Sequence, residues 1–426
     1  MINMKDSGVE WIGRIPKGWK VLPIKSGFLY QKLVAGDSHE KYPRLTLAKA
    51  GVLERPKYDG NGQSPANYST YQIVPEGELV FNLMGLEQDS DYRRVGIPPK
   101  DGLLSSGYVR LDHNSDVVFN RFALYYFLDL EARRIFNSYG TGIRSTLNGS
   151  QLVKIPMIFP PISEQQQIAK FLDEKTALID GIITDTKQTI EELKSYKQSL
   201  ISEIVTKGIN KNVKLVPSGI EWIGEVPEEW EVLKSRYFLN EISVKGYPDE
   251  EVLSLYRDYG IIPKNSRSDN HNVTSLDTSG YKLVKPGNLV INKMKAWQGS
   301  MAISNLRGIV SPAYYTFEVD NERFNLRFLH YALRNPAYKQ EYMRISAGLR
   351  VGQWDLNKNE FKNIKYAFPA NKEEQKAIAD YLDEKSSQID ALIIEKENLI
   401  SEYENYKKSM IYEYVTGKKR VEGYES

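Results

Sequence analysis

An internal repeat constrains the fold of this chain more than any other feature of its sequence. The segment GVEWIGRIPKGWKVL at 8–22 recurs as GIEWIGEVPEEWEVL at 219–233, at an offset of 211 residues. Three later matches follow in the same order at offsets of 206 to 210: 71–84 with 281–294, 102–108 with 308–314, and 168–175 with 378–385. Ordered matches of this kind indicate a duplicated chain, which predicts two similar domains with pseudo-symmetry.

Each copy combines a mixed region with a strongly helical one. Residues 24–155 and 234–366 contain short strand-like runs, short helical runs and many Gly, Pro and Asn breakers. We predict an α+β fold, with tandem duplicated α+β domains joined by two long antiparallel coiled-coil helices in a pseudo-two-fold arrangement. Each domain is expected to contain a substantial curved sheet. The predicted boundaries are 1–160 for the first domain, 161–208 for the first spacer helix, 209–219 for a linker, 220–368 for the second domain, 369–417 for the second spacer helix and 418–426 for a C-terminal tail.

Two long helices are predicted from their ends and from their apolar spacing. Ser163 and Asn371 are candidate N-caps, and Gly208 and Gly417 are candidate C-terminal stops. Isoleucine recurs every eleven residues, which keeps one apolar stripe in register along each helix. These positions are Ile168, Ile179, Ile190 and Ile201 in the first helix, and Ile378, Ile389, Ile400 and Ile411 in the second. The matched stripes favour an antiparallel spacer pair roughly 65 Å long; a generic hairpin or a dimer contact is the alternative.

The composition excludes several classes of chemistry. The chain of 426 residues has no Cys and only four His, so it can form no disulfide, thiolate metal site or Cys nucleophile. A Walker phosphate loop, a His-Glu-x-x-His zinc motif, a Gly-x-Ser-x-Gly elbow and the Asn/Asp-Pro-Pro-Tyr motif of amino-methyltransferases are all missing from the sequence. We therefore predict a protein that binds rather than catalyses. Apolar runs are too short to span a membrane and no signal peptide is evident, so we expect a cytoplasmic protein.

The repeated motifs resemble the specificity subunit of type I DNA restriction-modification enzymes, over essentially the whole chain. They are the Gly-x-Glu-Trp-Ile-Gly-x-x-Pro-x-x-Trp opening of each copy and the Glu-Gln…Ile-Ala start of each long helix. The segment NKMKAWQGS at 292–300, together with SPAY at 311–314, is similar to one variety of target-recognition domain. The first copy has LMGLEQD at 83–89 instead, as expected if the two domains read different DNA sequences.

This resemblance implies a non-catalytic subunit of a site-specific endonuclease and adenine methyltransferase complex. Each recognition domain would read one half of a bipartite site in double-stranded DNA, and the paired helices would set the gap between the halves. The helices would also dock two modification methyltransferase subunits, and restriction (translocase) subunits would complete the complex. S-adenosylmethionine, and ATP with Mg²⁺, are expected on those partners, with no cofactor on this chain.

Candidate contacts follow from how side chains read base edges: Arg and Lys at guanine, Asn and Gln at adenine. In the first domain they are Lys49, Arg55, Lys57, Tyr58, Arg93, Arg94 and Arg144. In the second they are Tyr256, Arg257, Lys264, Arg267, Lys293, Lys295, Trp297, Gln298 and Arg350. Arg144 and Arg350 end matched Gly-x-Arg loops and are the strongest candidates; each of the others could equally be an ordinary solvated side chain.

Two further groups of residues belong to the repeated motifs. We predict partner-binding roles for the residues that open the two long helices, Glu164, Gln165, Glu374 and Gln375. The repeated tryptophans, Trp11, Trp19, Trp222 and Trp230, are interpreted as packing residues.

The charge of the chain is unevenly distributed. The total of 57 basic and 55 acidic residues, a net charge of +2, at first excludes a protein that binds a polyanion. However, residues 234–366 hold 20 basic and 13 acidic residues, and residues 24–155 hold 16 and 14. The helical regions are acidic, with 6 against 8 at 161–208 and 6 against 11 at 369–417. Near-neutrality is therefore an average of a basic reading domain and acidic helices that suit protein partners.

Two other functions remain open from the sequence. The chain could be a coiled-coil scaffold that binds two protein partners without contacting DNA, although this leaves the Arg-, Lys- and Tyr-bearing loops unexplained. It could also be an enzyme with its own nuclease activity, which the missing motifs disfavour.

Overall fold

The structure, a computed structural model, describes residues 3–55, 68–87, 93–142, 145–257, 259–267, 274–275, 277–348 and 354–421. The chain divides into two compact units. Unit 1 comprises 1–186 and 398–426, and unit 2 comprises 187–397. Each unit thus contains one mixed domain and a part of both long helices, whereas the predicted boundaries set each helix apart as a separate element.

Unit 1 is built from short strands and two short helices in addition to its share of the long helices. Its strands are Met4–Asp6, Arg14–Pro16, Lys20–Pro23, Phe28–Tyr30, Leu45–Ala48, Gly51–Glu54, Gln72–Val74, Leu79–Phe81, Val95–Gly96, Gly102–Leu104, Val109–His113 and Pro156–Phe159. Its short α-helices are Asn120–Ala132 and Gly149–Leu152, and its 3-10 turns are Ile24–Ser26, Gly36–Lys41 and Ile135–Tyr139.

Unit 2 repeats this order of elements with a few additions. Its strands are Leu215–Pro217, Glu225–Pro227, Trp230–Lys234, Leu239–Ile242, Leu253–Tyr256, Gly260–Pro263, Lys282–Val284, Leu289–Asn292, Met301–Ile303, Gly308–Val310, Tyr314–Val319, Ser346–Ala347, Asp355–Leu356 and Lys365–Pro369. Its short α-helices are Leu326–Arg334, Lys339–Arg344 and Lys358–Phe361, and its 3-10 turns are Ser235–Tyr237, Lys264–Ser266, Ala296–Gln298 and Pro336–Tyr338.

The two units share one sheet topology. In unit 1 the antiparallel order is Phe28–Tyr30, Val109–His113, Leu79–Phe81 and Val95–Gly96; in unit 2 it is Leu239–Ile242, Tyr314–Val319, Leu289–Asn292 and Met301–Ile303. These four-stranded sheets are the largest among the described residues, and two-stranded pairs accompany them in each unit. The many breakers keep strands short, and the apolar area is buried against helices instead.

Each domain has an entry strand and an exit strand that pair with each other. Lys20–Pro23 pairs antiparallel with Pro156–Phe159, and Trp230–Lys234 pairs with Lys365–Pro369. Because the exit strand leads directly into a long helix, this pairing brings the first and last parts of each domain to the start of that helix. The tandem α+β architecture with long helices is therefore confirmed.

The long helices are Ile162–Lys207 and Lys372–Val415. Ser163 lies inside the first helix, so its predicted N-cap role is wrong, and the Pro161 carbonyl accepts the N–H groups of Glu164 and Gln165 instead. Asn371 does cap the second helix, since its side-chain oxygen accepts the Glu373 N–H at 2.9 Å.

Both predicted glycine stops are confirmed by their backbone conformation. The first helix ends before Gly208 with φ 75°, and the second ends before Gly417 with φ 70°. Both values lie in the left-handed region that glycine adopts without strain.

The helices run antiparallel in both units. In unit 1 the rings of Phe171 and Tyr414 lie 4.4 Å apart, while Asp180 accepts from Lys407 at 2.6 Å. In unit 2 the Lys197 ammonium donates to Asp390 at 2.7 Å, and Gly208 lies beside the Glu374 carboxylate. In each case the residue number rises on one helix as it falls on the other. The predicted isoleucine stripe faces inward: six of its eight members are buried, and Ile201 and Ile400 are half-buried.

Each unit has its own principal core, which includes residues of both helices. In unit 1 the completely buried Leu172 and Val415 belong to one core with Trp19 and with the buried residues of the helix Asn120–Ala132. In unit 2 Leu382 and Val205 pack with Trp230 and the aromatic side chains around Tyr366. Because these narrow apolar stripes are covered by the domains as well as by each other, the helix ends are integral parts of the domain cores.

Candidate nucleic-acid interface

The first candidate surface of unit 2 is the loop after the central sheet strand Leu289–Asn292. The Asn292 side-chain oxygen accepts the Met294 N–H at 3.1 Å, and this turn leaves the Met294 side chain exposed. The indole N–H of Trp297 donates to the Met294 carbonyl at 3.2 Å, which fixes the ring against the loop. Four predicted residues thereby lie in one short segment: Lys293, Lys295, Trp297 and Gln298.

The segment that follows the second Gly-x-Arg motif lies against this loop. The Leu356 N–H donates to the Lys293 carbonyl at 2.9 Å, and the Lys293 ammonium lies 3.2 Å from the Asp355 carboxylate. The rings of Trp297 and Trp354 are 5.3 Å apart. The structure therefore brings this loop together with a segment more than fifty residues later in the sequence, although Arg350 itself lies outside the described residues.

The remaining predicted residues of unit 2 belong to the hairpin Leu253–Tyr256 and Gly260–Pro263 and to the turn after it. The Arg267 guanidinium lies 4.5 Å from the centre of the Tyr259 ring and 5.8 Å from that of Tyr256. These distances are those of cation–π contacts. Among the other predicted positions of this hairpin, Arg257 is exposed at the turn and Lys264 is half-buried, as is Tyr256 itself.

Unit 1 repeats this layout with different side chains. The Asn82 side-chain oxygen accepts the Met84 N–H at 3.4 Å, and Met84 is exposed like its counterpart Met294. The Leu147 N–H donates to the Leu83 carbonyl at 3.1 Å, which again holds the loop against the segment after a Gly-x-Arg motif. Of the predicted residues, Lys57, Tyr58 and Arg144 lie outside the described residues, and Lys49, Arg55 and Arg93 lie in or beside the hairpin Leu45–Ala48 and Gly51–Glu54.

Arg94 occupies a different position from the other predicted contacts. It is 6% exposed, and its guanidinium donates to the carbonyls of Met84 at 3.1 Å and Gly85 at 3.0 Å. A buried guanidinium that donates to several backbone carbonyls stabilises the conformation of the loop from its buried side. We therefore interpret Arg94 as a residue that stabilises the loop around Met84 and not as a nucleic-acid contact.

The four residues predicted to bind partners make internal contacts. Gln165 accepts the Phe119 N–H at 2.8 Å, and Gln375 accepts the Asn325 N–H at 2.8 Å, so both tie a long helix to the start of a domain helix. Glu164 accepts from the Trp19 indole at 2.8 Å, and Glu374 accepts from the Trp230 indole at 3.1 Å. Glu164, Gln165 and Gln375 are buried, whereas Glu374 is exposed. Their docking role stays a prediction, and the proposals below do not depend on it.

Sequence reasoning missed a group of cations beside the unit 2 loop. Lys282 donates to the Tyr314 carbonyl at 2.6 Å, and Gln72 at the matched position donates to the Tyr108 carbonyl at 2.7 Å. Burial lowers the pKa of the Lys282 ammonium, and the nearby charges of Lys245, Lys358 and Lys293 add to this effect while Glu241 opposes it. The available signal was the repeat itself, which places a lysine opposite Gln72.

Two other kinds of site are absent from the described part of the chain. Within it, His, Asp and Glu side chains form no group of three or more that could hold a metal ion. None of its helices has the length and apolar character needed to cross a membrane.

The architecture and the duplicated loops define a tandem protein with two α+β domains and two long helices. The family model of the type I restriction modification DNA specificity domain matches residues 56–192 and 227–402. The chain belongs to this family, that of the specificity subunits of type I restriction-modification systems, and carries two copies of its domain.

Known proteins with the same organisation are similar over almost their full lengths. The type I restriction enzyme MjaVIII specificity subunit of Methanocaldococcus jannaschii is 28% identical over 440 residues, which covers 96% of this chain and 94% of the relative. A solved chain of a type I R-M system aligns with a TM-score of 0.68 and 14% identity over 95% of this chain and 99% of its own. The HsdS subunit from Thermoanaerobacter tengcongensis aligns with a TM-score of 0.52 and 14% identity over 95% and 98%. At this identity the solved structures support the fold alone.

Proposed function

We propose that this chain is a non-catalytic DNA-recognition subunit in which each domain reads one half of a bipartite site. The observation that carries the proposal is the duplicated loop pair, which is built on the same strand ends in both units. The backbone framework is shared, with Asn82 and Asn292 capping the same turn. The surrounding side chains differ between the units, as is required if two domains read different bases.

The helices are proposed to set the spacing between the two half-sites. Helices of 46 and 44 residues correspond to about 65–70 Å, or roughly two turns of DNA at about 34 Å per turn. The cores support this role, because the domains bury both ends of each helix and so restrict sliding of one helix along the other.

A second proposed role of the helices is to dock two copies of an adenine-methyltransferase subunit. In unit 1 Ile182 and Tyr406 are exposed, and the ion pair of Asp180 with Lys407 brings Tyr406 to the level of Ile182. In unit 2 Leu392 and Tyr196 are exposed at the matched positions, beside the ion pair of Lys197 with Asp390. We call these pairs the helix patches. One such apolar patch in each unit, on helices of acidic composition, fits two copies of one partner with a basic rim.

The proposal also divides the chemistry between subunits. S-adenosylmethionine would bind to the methyltransferase partners, and ATP with Mg²⁺ to restriction subunits. This chain would supply sequence choice and geometry. An isolated chain that methylates DNA would overturn this division.

Domain exchange tests the reading role. Replacement of residues 24–155 by the corresponding region of another family member should change one half of the methylated site and leave the other half unchanged. The readout is single-molecule sequencing of methylated adenines in cells with and without the chain. A change in both halves, or in neither, would contradict the assignment of one half-site to each domain.

Helix length tests the spacing role. Removal of two turns from both helices at matched positions should shorten the spacing between half-sites, measured by the same sequencing. A control deletion in the linker at 209–214 should leave the spacing unchanged. Unaltered spacing after helix shortening refutes the spacing role.

Partner stoichiometry tests the helix patches. The double substitution I182D/Y406D should reduce bound methyltransferase from two copies to one in native mass spectrometry with the purified partner subunit. Adding Y196D and L392D should remove the second copy. L29D, at another exposed apolar position of unit 1, is the control and should retain both copies. Two copies bound to the quadruple variant would exclude the helix patches as docking surfaces.

A further inference from the structure

Five lysines of unit 2 lie close together, two of them beside a single tyrosine ring, and we propose that they bind the DNA phosphate backbone. The inference rests on the DNA-reading role proposed above and adds a contact that only the second domain makes. We call this group the lysine cluster; its members are Lys245, Lys282, Lys293, Lys358 and Lys362.

Two members of the cluster lie beside the ring of Tyr315. The ammonium of Lys358 lies 5.5 Å from the centre of this ring, and that of Lys282 lies 5.9 Å from it. The Tyr315 hydroxyl donates to the Leu356 carbonyl at 3.3 Å, which anchors the ring beside the loop segment after the second Gly-x-Arg motif. The cations are therefore held next to the candidate interface by a fixed aromatic side chain.

The cluster carries an excess of positive charge. Glu241 accepts from Lys358 at 2.6 Å and from Lys362 at 3.0 Å, and Asp355 lies 3.2 Å from Lys293. Five lysines against these two carboxylates leave 5 − 2 = +3.

The pKa directions agree with this excess. Burial is the main cause that lowers the pKa of Lys282; the Glu241 charge opposes this shift, and three neighbouring lysines add to it. Burial alone would raise the pKa of Glu241, but the hydrogen bonds from Lys358 and Lys362 outweigh it and lower that pKa overall. A bound anion would relieve the repulsion among the cations.

Lysine chemistry suits a phosphate better than a base edge at this place. Each ammonium has three donor protons, and Lys282 and Lys358 each use one in the contacts described above. The remaining donors can reach phosphate oxygens as point charges, without the planar geometry that base reading demands.

Unit 1 lacks the cluster at every matched position. The repeat places Gln72 opposite Lys282 and Leu83 opposite Lys293. The matched helix cap Asn148 places Gly149 opposite Lys358 and Val153 opposite Lys362. Matched backbone hydrogen bonds, from Ile73 to Leu33 and from Leu283 to Val244, place Val34 opposite Lys245. Five uncharged residues replace five lysines, so the charge difference between the domains is concentrated here.

The test uses the full-length chain and substitutes residues of unit 1 into unit 2. The variants are Lys282→Gln, Lys245→Val and the double variant. The probe is a duplex that the parent chain selects from a randomised pool, together with a scrambled duplex of the same length. Affinity is measured between 50 and 200 mM salt. Lys365→Gln, an exposed lysine on the exit strand, is the control, and circular dichroism checks that each variant is folded.

Each substitution in the cluster should reduce the slope of log affinity against log salt by about 1 and weaken binding about five- to tenfold near 0.1 M salt. The loss should be equal on the selected and the scrambled duplex, because phosphates carry no sequence. An unchanged slope in the folded double variant, or a loss confined to the selected duplex, would overturn the proposal. A parent chain that does not prefer its selected duplex would instead contradict the reading role, and the salt slopes would still test the cluster.

Discussion

The indole N–H of Trp19 donates to the carboxylate of Glu164 at 2.8 Å, and both side chains are buried although 145 residues separate them. Trp230 and Glu374 repeat this contact in unit 2 at 3.1 Å. In each unit the tryptophan also lies against the glycine that ends the other long helix, Gly417 beside Trp19 and Gly208 beside Trp230. The repeated Gly-x-Glu-Trp-Ile-Gly-x-x-Pro-x-x-Trp motif thus ends in a residue that joins the start of one helix to the end of the other.

Removal of the indole donor should destabilise the two units unequally. Trp19→Phe removes the indole hydrogen bond from the buried Glu164 carboxylate, which keeps the Arg420 guanidinium at 3.7 Å, so we expect the free energy of unfolding to fall by about 1–3 kcal/mol. Trp230→Phe should cost less, because Glu374 is exposed and water can replace the indole. Urea unfolding followed by circular dichroism measures both variants, and an equal or larger loss for Trp230→Phe would contradict the role given to burial.

The two glycine stops should differ in their tolerance of alanine. Both have positive φ, which costs a residue with a Cβ about 1–2 kcal/mol. At Gly417 the added Cβ would also lie 2.5 Å from Pro16 and 2.9 Å from Trp19, whereas at Gly208 the nearest atoms are 3.5 Å away. Gly417→Ala should therefore have the larger effect on the melting temperature. Gly181→Ala is the control: it lies within the first helix with no atom within 4 Å of the added Cβ, and alanine should stabilise it by about 0.5–1 kcal/mol.

The matched ion pairs between the helices should each contribute modestly to the free energy of unfolding, and exchanging the two charges of a pair should preserve most of that contribution. Asp180 and Lys407 are partly exposed, with side-chain accessibilities of 56% and 19%, so loss of either should cost at most about 1 kcal/mol. Asp180→Lys places two cations together and should be the worse single change, while the exchange D180K/K407D should recover most of the loss. The deficit of Asp180→Lys should shrink at high salt because screening weakens the repulsion. No recovery in the exchanged variant would show that the pair is energetically irrelevant.

Stability should depend on pH through the half-buried His330. Its Nδ1 accepts the Ile303 N–H at 3.3 Å, and burial first and the Arg334 charge second lower its pKa to about 3. The unfolded state therefore binds the extra proton at higher pH than the folded state. The contribution of neutral His330 to the free energy of unfolding is fully present above the unfolded-state pKa of about 6.5. Below that pH it falls by roughly 1.4 kcal/mol per pH unit, until the pH reaches the pKa of the folded state. His330→Gln keeps a hydrogen-bond acceptor and should flatten this part of a stability profile measured by denaturant titration between pH 7 and 4. A profile that is identical in the variant would exclude His330 as the source.

The helices were predictable because their signals are local. The eleven-residue isoleucine spacing gave the buried stripe, and Gly208 and Gly417 end the helices where the pattern indicates. Ser163 failed as a cap because the carbonyl of Pro161, two residues earlier, already accepts the first helical N–H groups.

The interface was predictable in part. The block around Trp297 was found from its motif, but its contact with Trp354 depends on how the chain returns to the same strand end. Arg94 looked like an exposed contact in the sequence, and its burial follows from the Met84 loop that folds over it. Lys282 and Lys358 carry no motif, and they become a group only around Tyr315.

The sequence by itself determined the duplication, the order of domains and helices and the family, because these are carried by ordered matches and by regular spacing along the chain. The tertiary structure decided which side chains share a surface. Folding buried Glu164 against Trp19 inside unit 1. It also brought Lys245, Lys282 and Lys358 together, although the first and the last of them are more than a hundred residues apart in the sequence. The physical reason is that charge and hydrogen bonding act over a few ångströms in space, and distances of that size are set by packing rather than by position in the chain.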